Sequence, residues 1–219
     1  MQAAPSPWGE GWGEGEHHVS ALNAVRAAAL DHTQPLANNK RVTVQDVPDH
    51  LVPGLKLVIV GINPGIRSGA TGHHYAYPGN HFWPLLNESG LLPERLSYET
   101  DYRALEFGVG LTNLCDRTTR EANELTREEL SEGAANLRTK LLRYNPGVVC
   151  FNGMGIYKAF AGVKKVRPGL QEDRLGATFL FVVPSSSGRT AAYPRPKKLE
   201  YYRELRELVQ SVAAEAPPA

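Results

Sequence analysis

The chain has 219 residues, of which 42% are hydrophobic and 21% charged, and its formal net charge is +1 at pH 7. This composition excludes a disordered or collagen-like chain, and the length suits a single domain with one sizeable core. No apolar run reaches the ~20 residues that span a bilayer, and the N-terminus lacks a signal-peptide pattern. We therefore expect an intracellular protein without membrane contact. Taken alone, a net charge so close to zero argues against a nucleic-acid binder.

Cysteine is scarce: Cys115 and Cys150 are too few for a disulfide framework or for a four-cysteine metal site. Both lie in or beside apolar runs of strand length, which predicts buried thiols in the core. We expect neither a metal ion nor another cofactor.

The N-terminal segment differs in composition from the rest. Residues 4–16 read APSPWGEGWGEGE, and such a sequence cannot offset its own ordering entropy. We therefore predict a flexible tail over residues 1–19. Residues 20–32 are Ala-rich behind Ser20, an N-cap candidate, and predict a helix. Residues 20–213 as a whole are predicted to form one α/β domain.

From residue 55 onward, apolar strands alternate with helical patterns. The strand predictions cover residues 55–62, 109–114, 148–152 and 178–183. The helix predictions cover residues 80–89, 97–106, 126–144, 154–161 and 196–214. This alternation predicts a three-layer α/β/α fold with a central, mainly parallel sheet. Functional residues are then expected in the loops that follow the carboxyl ends of the strands.

The first such loop is GINPG, at residues 61–65. It is neither a dinucleotide-binding fingerprint nor a phosphate-binding P-loop. Pro64 restricts Asn63 to extended geometry, so the Asn63 amide is held at the end of the strand. The alternative is an ordinary turn in which Asn63 bonds its own backbone.

Residues 72–83, GHHYAYPGNHFW, concentrate aromatic and histidine side chains. Aromatic rings stack on nucleobases, and Asn or His side chains bond their edges. The histidines lack zinc-ligand spacing, and no carboxylate or thiolate lies in this segment. Phe82 and Trp83 are alternatively core residues at the start of a helix.

Five motifs together resemble the mismatch-specific uracil/thymine DNA glycosylase family of the uracil-DNA glycosylase superfamily, closer to its thymine-DNA glycosylase branch. They are GINPG, GHHYAYPGNHFWPLL, GLTNLCDRTT at 110–119, NPGVVCFNG at 145–153 and VVPSSSGR at 182–189. The resemblance implies a uracil-DNA glycosylase-like fold. It also implies a monomeric enzyme acting on double-stranded DNA, which flips out a pyrimidine mispaired with guanine and hydrolyses its glycosidic bond.

The resemblance assigns the catalytic water to Asn63, with help from Thr119. It assigns the base pocket to Ile62, His74, Tyr75, Asn80 and Asn113, with the Tyr75 ring stacking on the flipped pyrimidine. A neutral amide is a poor general base, so bond cleavage must run ahead of water attack. Uracil is then expected to leave faster than thymine or other modified pyrimidines.

Asp116 follows the second predicted strand directly. Related thymine glycosylases carry an acidic residue, usually Glu, at the matching position without a principal catalytic role. We hypothesise that Asp116 supports catalysis beside Asn63 by accepting a proton or countering a cationic sugar. The alternative is an ion pair with Arg117 or a cap for the following turn.

A second functional loop is expected at residues 184–189, PSSSGR. Small hydroxyl side chains can approach and bond phosphates, and Arg189 resembles the family's plug residue, which fills the gap left by the flipped base. Residues 164–206 hold ten Lys or Arg against four Asp or Glu, a local excess of +6 hidden by the near-neutral total. The DNA-contacting residues are thus predicted to be Ser185, Ser186, Ser187, Gly188, Arg189 and Lys197.

Other readings stay open at this point. The serine-rich loop is alternatively an ordinary turn with a solvated arginine. The whole chain is alternatively a catalytically weak mismatch- or damage-binding protein on the same fold. A small-molecule nucleoside hydrolase is disfavoured because its acidic calcium cluster is missing. No lysine lies in the pocket segments, which argues against Schiff-base chemistry.

Overall fold

A five-stranded sheet organises the computed structural model, which describes residues 46–190 and 192–215. The strands are β1 (Leu57–Gly61), β2 (Val109–Asn113), β3 (Val148–Asn152), β4 (Gly169–Leu175) and β5 (Thr178–Val183). Their order is β2-β1-β3-β5-β4. The first four in that order run parallel, and β4 pairs antiparallel with β5. The mainly parallel sheet and its four predicted strands are confirmed.

The strand β4 was not expected from the sequence. Its residues, GLQEDRL, are mostly exposed or half-buried, and it pairs with β5 alone at the edge of the sheet. An edge strand of this kind buries too little side chain to leave the apolar signature on which the strand predictions rest.

Most helices lie where the sequence predicts them, with small shifts at their ends. They are α1 (Ile66–Thr71), α2 (Phe82–Ser89), α3 (Arg127–Tyr144), α4 (Met154–Ala161) and α5 (Arg195–Glu215), with 3-10 helices at Tyr98–Phe107 and Ala122–Glu124. The short α1 was not predicted. Helix α3 begins with a capping box, in which Thr126 Oγ1 accepts from the Glu129 amide at 3.1 Å and Glu129 accepts from the Thr126 amide at 2.8 Å.

Alternating residues of the central strands feed two cores. Leu57 and Ile59 pack with α2, α5 and the 3-10 helix Tyr98–Phe107. Val58 and Val60 pack with α3 and α4 on the opposite face. Helices therefore cover both faces of the sheet, which confirms the three-layer α/β/α prediction.

The parallel register brings the strand ends together. Gly61 pairs with Asn113 at the ends of β1 and β2, and Asn152 ends β3 beside them. The loops that follow these strands therefore open onto one edge of the sheet. The tail predicted at residues 1–19 and the helix at 20–32 lie outside the described residues, so the predicted division of the chain stays a prediction. Within the described ranges, no helix is long and apolar enough to cross a bilayer.

Candidate active site

A pocket of about 990 Å³ opens at the carboxyl edge of the sheet. Most of the side chains singled out in the sequence line it, although they come from four separate segments. Those lining it are Ile62, Asn63, His74, Tyr75, Asn80, Asn113, Thr119, Ser185, Ser186, Ser187, Gly188 and Arg189. Asp116 and Lys197 do not line it.

The amide of Asn63 is held in one orientation. Its Nδ2 donates to the Arg117 carbonyl at 2.8 Å and to Thr119 Oγ1 at 2.7 Å. The Thr119 hydroxyl in turn donates to the Glu121 carbonyl at 2.8 Å. Because a carbonyl can only accept, the group facing Arg117 must be the NH2 group. Both amide hydrogens are therefore used, and Asn63 Oδ1 remains as an acceptor.

These contacts exclude the turn in which Asn63 bonds its own backbone. The partners of Asn63 lie more than fifty residues away. The Thr119 amide also donates to the Pro64 carbonyl at 3.1 Å. The loop after β1 is thus fastened to the loop after β2 by side-chain and backbone bonds, with the Asn63 amide at the junction.

The floor of the pocket depends on Gly61. A Cβ atom there would overlap with Asn113 Oδ1 and lie 3.1 Å from Tyr75 Oη. Only glycine leaves room for both polar groups at the end of β1. Asn113 is mostly buried but lines the pocket, so a group that enters the pocket can reach its amide.

Tyr75 forms an aromatic wall. Its ring stacks on Phe82 with centroids 3.7 Å apart and an interplanar angle of 16°, so one ring face is covered by the core. Burial raises the pKa of Tyr75, which keeps the phenol protonated. Phe82 and Trp83 are both buried, as expected of core residues. A planar base can stack on Tyr75 only on the ring face away from Phe82.

His74 is buried and neutral. Its Nε2 lies 3.0 Å from the Pro48 carbonyl, which can only accept, so Nε2 carries the proton and Nδ1 does not. Burial, followed by the nearby His50, lowers the pKa of His74 to about 4. Near neutral pH its one ring proton is engaged with the Pro48 carbonyl, so His74 has no second proton to give to a departing base.

The serine loop is anchored through Ser186. The Ser186 amide donates to Asn152 Oδ1 at 3.0 Å, and the Ser186 hydroxyl accepts from Asn152 Nδ2 at 2.8 Å. The same hydroxyl donates to Asn80 Oδ1 at 2.8 Å, and the Ser186 carbonyl accepts from the His81 amide at 3.0 Å. Tyr202 supports Asn152 from α5 at 3.3 Å. Asn80 and the loop are therefore parts of one buried network.

Arg189 and Gly188 lie at the mouth of the pocket. Arg189 Nη1 is 3.2 Å from Glu121 Oε1, and both side chains are exposed. A Cβ atom at position 188 would lie 2.6 Å from the Gly79 carbonyl oxygen. The absence of a side chain at Gly188 thus lets the serine loop pass close to the loop that carries Asn80.

Asp116 and Lys197 lie apart from this constellation. The Asp116 side chain is 68% exposed, with Lys140 Nζ at 3.8 Å. The ion pair with Arg117 considered above is also absent, because Arg117 pairs with Glu129. Lys197 pairs with Glu200 one turn along α5. Asp116 is therefore not placed beside Asn63 in the pocket as expected, while DNA contact by Lys197 stays a prediction.

Sequence reasoning missed several residues of the site. Lys198, next to Lys197, is only 2% exposed and donates to the Ser187 carbonyl at 3.0 Å. Arg67 and Arg120 line the pocket along with Arg189. Asn152 could have been found from the sequence, since it is the last residue of β3 just as Asn113 is the last residue of β2. No sequence pattern distinguishes the buried Lys198 from its exposed neighbours.

Metal-ligand geometry does not occur in the part of the chain that the structure describes: no three His, Cys, Asp or Glu residues are grouped to hold an ion. Cys115 and Cys150 are buried and free, as expected. Burial raises the pKa of Cys115 to about 11 and also raises that of Cys150. Neither thiol is an activated nucleophile.

Comparison with known proteins identifies the family. A profile of the Uracil DNA glycosylase superfamily matches residues 48–210, most of the chain. The chain belongs to the uracil DNA glycosylase superfamily. The matched range contains every element of the sheet and every pocket residue except Val47.

One protein of similar sequence and one of similar structure illustrate the relationship. A G/U mismatch-specific uracil DNA glycosylase of Schizosaccharomyces pombe (strain 972 / ATCC 24843) is 39% identical over 203 residues, which cover 88% of this chain and 62% of that protein. The chain thus spans less than two thirds of its length. A solution NMR structure of a candidate uracil DNA glycosylase from Methanosarcina acetivorans has a TM-score of 0.51 at 22% identity, covering 75% of this chain and 98% of that one. The second likeness concerns the fold alone.

Proposed function

We propose that this protein is a monofunctional DNA glycosylase that hydrolyses the N-glycosidic bond of uracil mispaired with guanine in double-stranded DNA. The observation that carries the proposal is the orientation of the Asn63 amide, whose NH2 group is fully engaged and whose Oδ1 is left as an acceptor at the pocket. The name of the S. pombe relative supports the same substrate.

In this proposal, Asn63 Oδ1 accepts a hydrogen bond from a water molecule and aims it at C1′ of the flipped nucleotide. The amide has no useful basicity, so it orients the water and does not remove its proton early. Its dipole also stabilises the cationic character that develops on the sugar. Thr119 serves by holding the Asn63 amide in place.

The leaving base departs as an anion. His74 is neutral and its one ring proton is engaged with Pro48, so protonation of the base by this residue is unavailable. Hydrogen-bond donors such as the Asn113 amide are left to stabilise the anion. Uracil, the better leaving group, is therefore preferred over thymine and other modified pyrimidines.

Extrusion of the base costs a few kcal/mol, and a mismatch lowers that cost. The flipped pyrimidine would stack on Tyr75, with the serine loop against the phosphates on either side. Arg189 would leave Glu121 and enter the gap in the duplex. All these residues come from one chain, so we propose that the enzyme acts as a monomer.

The direct test is incubation with a duplex that carries a single uracil opposite guanine, followed by hot alkali. Strand breakage at the uracil after alkali is expected, with no breakage before it, and a duplex with cytosine at that position should stay intact. A stable band shift without breakage would instead favour the mismatch-binding alternative. Breakage before alkali would contradict the monofunctional mechanism.

A further inference from the structure

A fully buried carboxylate lies directly behind the pocket wall. Asp101, in the 3-10 helix Tyr98–Phe107, is 0% exposed. Its Oδ1 is 2.9 Å from His73 Nδ1, and its Oδ2 accepts from the His74 amide at 2.7 Å and lies 3.3 Å from His50 Nε2. Two segments distant in sequence from Asp101 thus converge on its side chain, which does not itself line the pocket.

The same bonds fix the peptide groups that precede Tyr75. The His74 amide is held by Asp101, and the His74 carbonyl accepts from Trp83 Nε1 at 3.2 Å. The Ala76 amide beyond it donates to Ser68 Oγ at 3.2 Å. The backbone is therefore fastened on both sides of the aromatic wall.

This fastening is needed because Tyr75 has an unfavourable backbone conformation. Its φ is +55°, a left-handed geometry that costs a residue with a side chain roughly 1–2 kcal/mol. Such a conformation persists only where its surroundings enforce it. The bond from Asp101 to the His74 amide is one of the contacts that enforce it.

Burying a carboxylate is costly unless it is paired. Burial by itself raises the pKa of Asp101, but the neighbouring His50 and His73 imidazoles and the His74 amide bring it well below its ordinary range. The side chain is therefore charged at neutral pH and accepts strong hydrogen bonds from His73 Nδ1 and the His74 amide, with His50 Nε2 beside it at 3.3 Å. The buried charge of Asp101 is therefore used to hold the His73 ring and the His74 peptide in place.

We propose that Asp101 is a positioning residue for the base pocket, acting through the His74 peptide to hold the Tyr75 ring where a flipped base stacks. The proposal rests on the proposed glycosylase function. It predicts that losing the carboxylate weakens the excision step and leaves recognition of the duplex intact, because the serine loop and Arg189 do not depend on this cluster.

The test compares Asp101→Asn and Asp101→Leu with the wild type under single-turnover conditions. Asn keeps the shape and one acceptor but loses the charge, whereas Leu keeps a similar volume and loses both acceptors. The matched control is Asp173→Asn, the same change on the edge strand β4, where Asp173 is exposed and does not line the pocket. Duplex affinity is measured with 2′-fluoro-deoxyuridine opposite guanine, because the fluorine opposes cationic character on the sugar and blocks cleavage.

We expect the maximal excision rate to fall about three- to tenfold in Asp101→Asn and further in Asp101→Leu, as is usual when a supporting hydrogen bond to a site is lost. The duplex Kd should stay within about twofold, and Asp173→Asn should match the wild type. The proposal is overturned if Asp101→Asn excises at the wild-type rate, or if its rate and affinity fall by the same factor. A wild-type protein without excision activity would overturn the proposed glycosylase function. An active wild type with an equally active Asp101→Asn variant would overturn only the role of Asp101, so the two failures are distinguishable.

Discussion

The side chains of Asn63 and Thr119 form a directional pair: Asn63 Nδ2 donates to Thr119 Oγ1 at 2.7 Å, and Thr119 passes its own hydrogen to the Glu121 carbonyl at 2.8 Å. Thr119 is almost completely buried. Its hydroxyl therefore has no hydrogen left for a catalytic water. Thr119 therefore holds the NH2 group of Asn63, so that Asn63 Oδ1 faces the pocket.

Replacing Thr119 with Val should remove this control while keeping the shape of the side chain. The Asn63 amide then loses one of its two anchors, and misplacement of the water by about 1 Å costs up to a hundredfold in rate. We expect the maximal single-turnover rate of uracil release to fall about ten- to hundredfold at unchanged duplex affinity. Thr119→Ser keeps the hydroxyl and should retain most of the rate; equal losses in both variants would argue against the orienting role.

Asp116→Asn should leave uracil release unchanged. The carboxylate is 68% exposed and its nearest cation, Lys140, is 3.8 Å away; exposed pairs of this kind contribute about 0–1 kcal/mol to stability. The check is a single-turnover time course beside that of the wild type. A rate that drops by more than about fivefold, well beyond what an exposed pair explains, would restore Asp116 to the catalytic machinery.

Gly61→Ala should close the pocket floor. The added methyl group would overlap with the Asn113 amide, so the side chain must leave its position or the end of β1 must shift. Excision should fall about a hundredfold or more. Gly155→Ala is the matched control, because a Cβ there would meet no atom within 4 Å apart from its chain neighbours and its own helix backbone. It lies inside α4, where Ala should add up to about 1 kcal/mol of stability and leave excision unaltered.

Stability should depend on pH through His74. Its pKa is about 4 in the folded chain against 6.5 for the ordinary side chain, so below pH 6.5 the unfolded chain takes up a proton that the folded one refuses. The free energy of unfolding is therefore lost as pH falls from 6.5 toward 4, by about 2–3 kcal/mol at pH 4.5. The raised pKa of His73 has the opposite sign: its contribution is present below the unfolded pKa and is lost as pH rises through the folded one.

The comparison for this prediction is His74→Gln, whose amide can still donate to the Pro48 carbonyl but does not titrate. Urea unfolding at pH 7.5 and pH 4.5 should give a smaller pH difference for His74→Gln than for the wild type, by about 2–3 kcal/mol. The His73 contribution is common to both proteins and cancels. Identical pH dependences would mean that His74 is not neutral by burial.

The sheet and most of the pocket could be predicted from the sequence because both leave local signals. Four parallel strands are buried on both faces and read as apolar runs, and their carboxyl ends mark where Asn63 and Asn113 should meet. The edge strand β4 and the short helix α1 carry no such pattern. Their formation depends on the neighbours against which they pack.

The supporting residues could not be predicted, since their roles depend on contacts between distant segments. Asp101 reads as one more charge in a polar helix, and only the folded chain brings His50 and His73 to it. For the same reason Asp116 lies outside the pocket although it follows a strand that ends there, whereas the role of Lys197 in DNA contact stays a prediction. The position of Asp116 after a strand did not reveal that its side chain is exposed to solvent. The position of Lys197 in a basic cluster did not reveal that it pairs with Glu200.

The most direct test of the account is the single-turnover rate of uracil release by Asn63→Ala on a duplex with uracil opposite guanine, measured beside the duplex affinity. The amide oxygen of Asn63 is the acceptor assigned to the water, so its removal should lower the rate about a thousandfold while Kd changes by less than about threefold. An Asn63→Ala protein that releases uracil within about tenfold of the wild-type rate would contradict the account.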